Sequence, residues 1–177
     1  MVALISASKL ALSFLPQVEV ITSLFIVFTL CFGWRNTFIA AILFVFIEIA
    51  IFGFMISWVV LYFIYWPLLV TVTHLISWGF KHRDAKLNDG KIKRKTTKVT
   101  FVVAITSGVL MTIFFGALSA VLDMVFMGAI GTGQFWEFVF WRYVAGTWFF
   151  AVHIVANIVA LPILVPTLTK AIERIKY

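Results

Sequence analysis

The sequence predicts an all-α integral membrane protein with six transmembrane helices and both termini cytoplasmic. Three observations predict it. First, 63% of the 177 residues are hydrophobic and the mean hydropathy is +1.11, more apolar surface than a soluble fold hides while still covering its exterior. Second, the apolar residues come in runs of the length that crosses a bilayer, about 17–25 residues, separated by short breaks. Third, Lys81, Arg83, Lys86, Lys91, Lys93, Arg94, Lys95 and Lys98 crowd one hydrophilic stretch, opposed there only by Asp84 and Asp89. A basic loop between apolar runs marks the cytoplasmic side of a multi-span protein.

The runs divide one membrane domain, residues 1–177, into six spans at about 2–16, 18–33, 36–54, 56–79, 99–122 and 141–168. The first ends at Pro16 and the second at Gly33. Both are short, which calls for tilted helices or a locally thin bilayer. Six spans put both termini on one side, and the cytoplasmic basic loop 81–98 fixes which side. Arg35 and the tail bearing Lys170, Arg174 and Lys176 then face the cytoplasm as well, while Glu19, Asp123 and Glu137 fall outside. Residues 123–140, with Gly128, Gly131 and Gly133, read as a long outer loop.

The net charge of +7 lies in one loop and a tail, where it serves topology and contact with anionic headgroups rather than nucleic acid. The lone Cys31 offers no disulfide and no paired metal ligand. The first apolar segment lacks a basic leader and cleavage site, so it reads as a membrane helix. No GxxxxGK[ST], HExxH or GxSxG occurs, so neither a phosphate-loop ATPase nor those hydrolase chemistries are expected of this chain. His74, His82 and His153 are far apart in sequence, and neither a metal nor another cofactor is expected.

Several polar residues inside the apolar runs need a reason. Glu48 sits in the third span, where an unpaired carboxylate is costly; it is either bonded to a neighbouring helix or placed on a cavity wall. His153 and Asn157 are four apart on the sixth span and share a face, where they bond across to another helix or touch a ligand. Glu137 and Arg142 frame the outer start of that span and Asp123 the outer end of the fifth. Lys9, within the first span, snorkels along its helix. Trp58, Tyr62 and Trp66 recur every four residues on the fourth span, with Tyr65 beside them, and Trp136, Trp141 and Trp148 lie near or on the sixth. An interfacial belt explains Trp58 and Trp136. The deeper aromatics either pack against neighbouring helices and lipid or line the site of a flat organic ligand. Ala3, Ala7 and Ala11 form a small-residue stripe that lets another helix come close.

Leu15-Pro16-Gln17-Val18-Glu19, Phe52-Gly53-Phe54 and Tyr62-Phe63-Ile64-Tyr65-Trp66-Pro67-Leu68-Leu69 together resemble the substrate-binding S components of energy-coupling factor (ECF) transporters. The last apolar run, with His153 and Asn157 in HIVANIVALPILVPTL, is similar to that family's closing helix. The resemblance runs from about residue 8 to 172. It implies a six-helix protein of the bacterial plasma membrane that captures a vitamin outside the cell. Such a subunit works with a transmembrane coupling subunit and two cytoplasmic ATPases, which fits the missing phosphate loop. The branch with LPxxE, FGF and YxxxWPLL most resembles the S component for cobalamin. The resemblance also makes Ala3, Ala7 and Ala11 the docking positions for the coupling subunit. Trp58, Tyr62, Tyr65, Trp66, Trp136, Glu137, Trp141, Arg142, His153 and Asn157 are the candidate ligand contacts, near the outer ends of spans four to six. Another vitamin on the same fold, such as riboflavin, pantothenate or a queuosine precursor, is the first alternative. A membrane assembly subunit without a ligand is the second.

Overall fold

The computed structural model describes residues 1–13, 20–87 and 93–175, except for the side chains of 81–87, 93–99, 169 and 172–175. The described residues form six helices and no strand: α1 (Val2–Leu12), α2 (Ile21–Phe32), α3 (Trp34–Phe52), α4 (Ile56–Leu87), α5 (Lys93–Phe126) and α6 (Phe135–Ile175). The order of elements is the one expected, but their ends differ. Helix α4 continues past residue 79 to Leu87, and α5 starts at Lys93 instead of 99. Much of the basic stretch is therefore helical, because Lys and Arg are good helix formers once a helix is running. The outer loop 123–140 shrinks to residues 127–134: α5 keeps Asp123 on its last turns, and α6 begins at Phe135. Helix α1 stops at Leu12, short of the expected 16. Pro16, Glu19, the run 15–19, Asp89, Lys91 and Lys176 lie outside the described residues.

Among the described residues, four helices are long and apolar enough to cross a membrane: Trp34–Phe52, Ile56–Phe80, Thr100–Phe126 and Phe135–Leu168. Helices α1 and α2 have 11 and 12 residues, so each is only about 17–18 Å long at 1.5 Å per residue.

Helix α2 is the centre of the bundle. Every residue from Ile21 to Thr29 is buried, as expected of a helix apolar all round and enclosed by protein. It packs against each of the other five helices. Phe25 meets Phe44 of α3 and Trp66 of α4, with ring centroids 5.6 and 5.1 Å apart. Gly33 ends α2 at φ 82°, and α3 starts on the next residue. That left-handed conformation costs glycine little and a side-chain-bearing residue much more, so the chain reverses without a loop. Gly53 ends α3 in the same way, at φ 83°, and its N–H bonds the Ile49 carbonyl.

Helices α5 and α6 pack as an antiparallel hairpin. Asp123 faces Arg142, Gly116 faces Phe150, and Gly108 faces Leu161. The Phe150 ring fills the space left by two glycines: a Cβ at Gly116 would lie 2.6 Å from it, and one at Gly146 2.8 Å. The outward faces of α3 to α6 carry exposed Phe46, Trp78, Trp148 and Ile163, among others. Large apolar side chains all round suit hydrocarbon contact, not water.

Candidate functional site

Glu48 is the most demanding residue in the bundle. It lies one turn before the end of α3 and is only 6% exposed. Its carboxylate receives the Lys9 ammonium of α1 in a direct ion pair. The same ammonium donates to the Tyr62 hydroxyl of α4 at 3.3 Å. Three aromatic rings surround it, with centroids 5.0 Å away for Phe52 and Tyr62 and 5.9 Å for Phe44. Positive charge over ring faces is favourable, more so where water is excluded. The pair thus satisfies two charges that would each be expensive alone in an apolar interior.

This cluster forms one wall of a cavity of about 310 Å³. Helix spacing builds it. Val45, Glu48, Ile49 and Phe52 share one face of α3, and Trp58, Val59 and Tyr62 share one face of α4. Gly53 and Met55 close the end between the two helices, and Lys9 enters from α1. The walls are aliphatic and aromatic, with a few polar groups concentrated at one edge, the usual make-up of a small-molecule site.

A second cavity, of about 20 Å³, lies deeper, bordered by Thr22, Tyr62, Tyr65, Trp66, Thr112, Phe115 and His153. It is large enough for about one water molecule. Tyr65 and Trp66 are 2% and 3% exposed and meet edge to face with centroids 4.8 Å apart. The Trp66 indole N–H borders this space and finds no hydrogen-bond partner among the described residues. Below it runs a neutral network: Ser23 Oγ donates to Asn157 Oδ1 at 2.8 Å, and Asn157 Nδ2 donates to Thr112 Oγ1 at 3.2 Å. This joins α2, α6 and α5. Asn157 therefore bonds across to other helices, one of its two expected roles. His153 Nδ1 lies 3.0 Å from the Phe149 carbonyl of its own helix.

The aromatic stripe of α4 therefore divides by depth. Trp58 and Tyr62 line the larger cavity, Tyr62 also borders the small one, and Trp66 with Tyr65 belongs to the core around the small one. On α6, His153 borders the small cavity, but the four expected contacts nearer the start of that helix lie elsewhere. Trp136 and Trp141 are 73% and 60% exposed on its outward face, and Glu137 is in its first turn. Arg142 forks onto Asp123, with Nε and Nη2 at 3.0 and 2.7 Å from Oδ2, and locks the α5–α6 hairpin. Neither cavity is lined by Trp136, Glu137, Trp141 or Arg142. On α1, Ala3, Ala7 and Ala11 are exposed, while Ile5 and Ser6 face inward. Sequence reasoning singled out Lys9 and Glu48 but did not join them; it passed over Val45, Ile49, Met55 and Val59, and took Phe52 only as part of the Phe52-Gly53-Phe54 run. The available signal was the intramembrane carboxylate itself, one turn before the Phe52-Gly53 turn.

No protein-family model, curated protein or solved structure matches the chain.

Proposed function

We propose that this chain is the substrate-binding S component of an ECF-type transporter, a six-span protein of the bacterial plasma membrane with both termini cytoplasmic. The observation that carries this reading is where the larger cavity lies along α4. It is lined by Trp58 and Tyr62, while the basic stretch begins at Lys81 on the same helix. Twenty or so residues of helix put roughly 30 Å between them, about the thickness of the hydrocarbon core. With the basic stretch in the cytoplasm, the cavity lies at the outer face, where a nutrient arrives. A pocket on one side of a bundle, without a phosphate loop in the chain, suits a capture subunit driven by others. The partners are a transmembrane coupling subunit, which docks on Ala3, Ala7 and Ala11, and two cytoplasmic ATPases. The subunit captures its vitamin outside and reorients in the membrane against the coupling subunit, and ATP hydrolysis in the partners resets the complex.

The motif resemblance names cobalamin as the substrate. The cavity volume favours a second reading. At about 310 Å³ it sits at the lower end of the roughly 300–1,000 Å³ of small-molecule sites, and suits a vitamin smaller than a corrinoid, such as riboflavin, pantothenate or a queuosine precursor. Equilibrium binding of radiolabelled cobalamin to the purified protein, with those three as competitors, tests both. Saturable binding of cobalamin alone supports the first substrate, and binding of a competitor alone supports the second. No saturable binding of any of them, together with no co-purifying ATPase, overturns the reading in favour of an assembly subunit.

A further inference from the structure

The Lys9–Glu48 pair is more than a way to bury two charges, because of what surrounds it. The ammonium lies within 5.0–5.9 Å of the ring centroids of Phe44, Phe52 and Tyr62, and against a carboxylate. Ring faces plus an anion are the groups that recognise organic cations. Here the chain's own lysine occupies them, at the edge of a cavity open to a ligand.

The two partners are not equally free to leave. Glu48 is held within α3, one turn before its end at Phe52, with its side chain 7% exposed. Lys9 is 13% exposed, on a flexible stem in the last turn of a helix that ends at Leu12. A ligand anion that took Lys9 would strand a buried carboxylate, the costly way to break such a pair. It would also turn a negative charge towards the ring faces. A ligand cation that took Glu48 would keep the carboxylate neutralised and the rings favourably faced. The lysine could then swing towards the last carbonyls of α1, a favourable place for a cation.

We propose that the cavity recognises its ligand through a positively charged group that displaces the Lys9 ammonium from Glu48 and takes its place among Phe44, Phe52 and Tyr62. The chemical class is an organic cation, a substituted ammonium or an N-alkylated heteroaromatic ring, whose apolar remainder lies against Trp58. This deepens the S-component reading and rests on it for the premise that the cavity takes a ligand.

The test uses the full-length protein in lipid nanodiscs with choline and its neutral isostere 3,3-dimethylbutan-1-ol, reading binding by calorimetry and stability by thermal melting. Choline should bind and the alcohol should not. Lys9→Met should raise choline affinity at least tenfold by removing the resident competitor. Choline should also raise the melting temperature of that variant more than that of the parent. Glu48→Gln should abolish choline binding, and Phe52→Leu should weaken it several-fold. Equal binding of the two probes, or a Lys9→Met affinity no higher than the parent's, overturns the proposal. If Lys9→Met does not fold, the comparison of the parent with Phe52→Leu decides: a several-fold loss supports the subsite and an unchanged affinity overturns it. Neither probe is a vitamin and no transport is read, so failure here leaves the S-component reading standing. Failure of vitamin binding and ATPase co-purification would leave these probe results standing in turn.

Discussion

Two clusters of buried polar side chains in the bundle are built differently. Between α1, α3 and α4 the polarity is ionic, ringed by aromatic faces and set beside a cavity. Between α2, α5 and α6 it is neutral: Ser23, Asn157 and Thr112 bond in a chain next to close-packed glycines. The neutral network leaves Asn157 1% exposed and does what interhelical amides usually do, which is to fix which helices meet. The ionic cluster carries far more desolvation than orientation requires. A group held at that cost beside open volume points to recognition. One half of the molecule is close-packed, and the other holds the cavity that the proposed function fills with a ligand.

Substitutions can break that contrast, beginning with the ionic side. Lys9→Met leaves Glu48 buried without its cation and should lower stability by about 3–5 kcal/mol, read by denaturant titration in lipid micelles. Glu48→Gln should cost clearly less, because Lys9 can withdraw along its stem; equal losses would show that the two ends are held alike. On the closed side, Gly116→Ala drives a methyl into the Phe150 ring and should cost about 1–3 kcal/mol. Pairing it with Phe150→Leu should recover part of that loss, and no recovery would place the strain elsewhere. Asn157→Leu removes two bonds between helices and should cost about 1–2 kcal/mol without changing ligand affinity. The smallest effect is expected for Tyr62→Phe, which deletes the 3.3 Å bond from Lys9 but keeps the ring. It should cost no more than about 1 kcal/mol in the same titration, whereas Tyr62→Ala should weaken ligand binding more than tenfold.

Much of the architecture was legible in the sequence, because hydropathy alone marks apolar runs. All six helices occur in the expected order, and Gly33 ends the second as predicted. Their ends were less legible where charged residues continue a helix beyond its apolar part, as at 80–87 and 93–98, or where aromatic residues start one early, as at Phe135. In the site, the four-residue spacing correctly put Trp58 and Tyr62 on one stripe. It could not show that Trp66, one turn further, has already passed into the core, since depth depends on where α2 and α5 lie. Lys9 and Glu48 each stood out as a charge in an apolar run. Their pairing spans 39 positions, and nothing local says that α1 leans on α3. Arg142 read as a ligand contact because a charge at a helix start is ambiguous until its neighbour is known. That neighbour is Asp123 on the preceding helix.

Helix α2 has a consequence for how the chain is made. It is too short to hold itself across a bilayer, and from Ile21 to Thr29 it shows nothing to its surroundings. Its walls come from residues synthesised well after it: Trp66 on α4, Thr112 at the end of the network on α5, and Asn157 on α6. A nascent chain emerges N-terminus first, so the innermost helix is born before most of its enclosure. A chain halted before α6 would carry Ser23 without its amide and one flank of α2 uncovered. The centre is therefore enclosed only once α6 has been made.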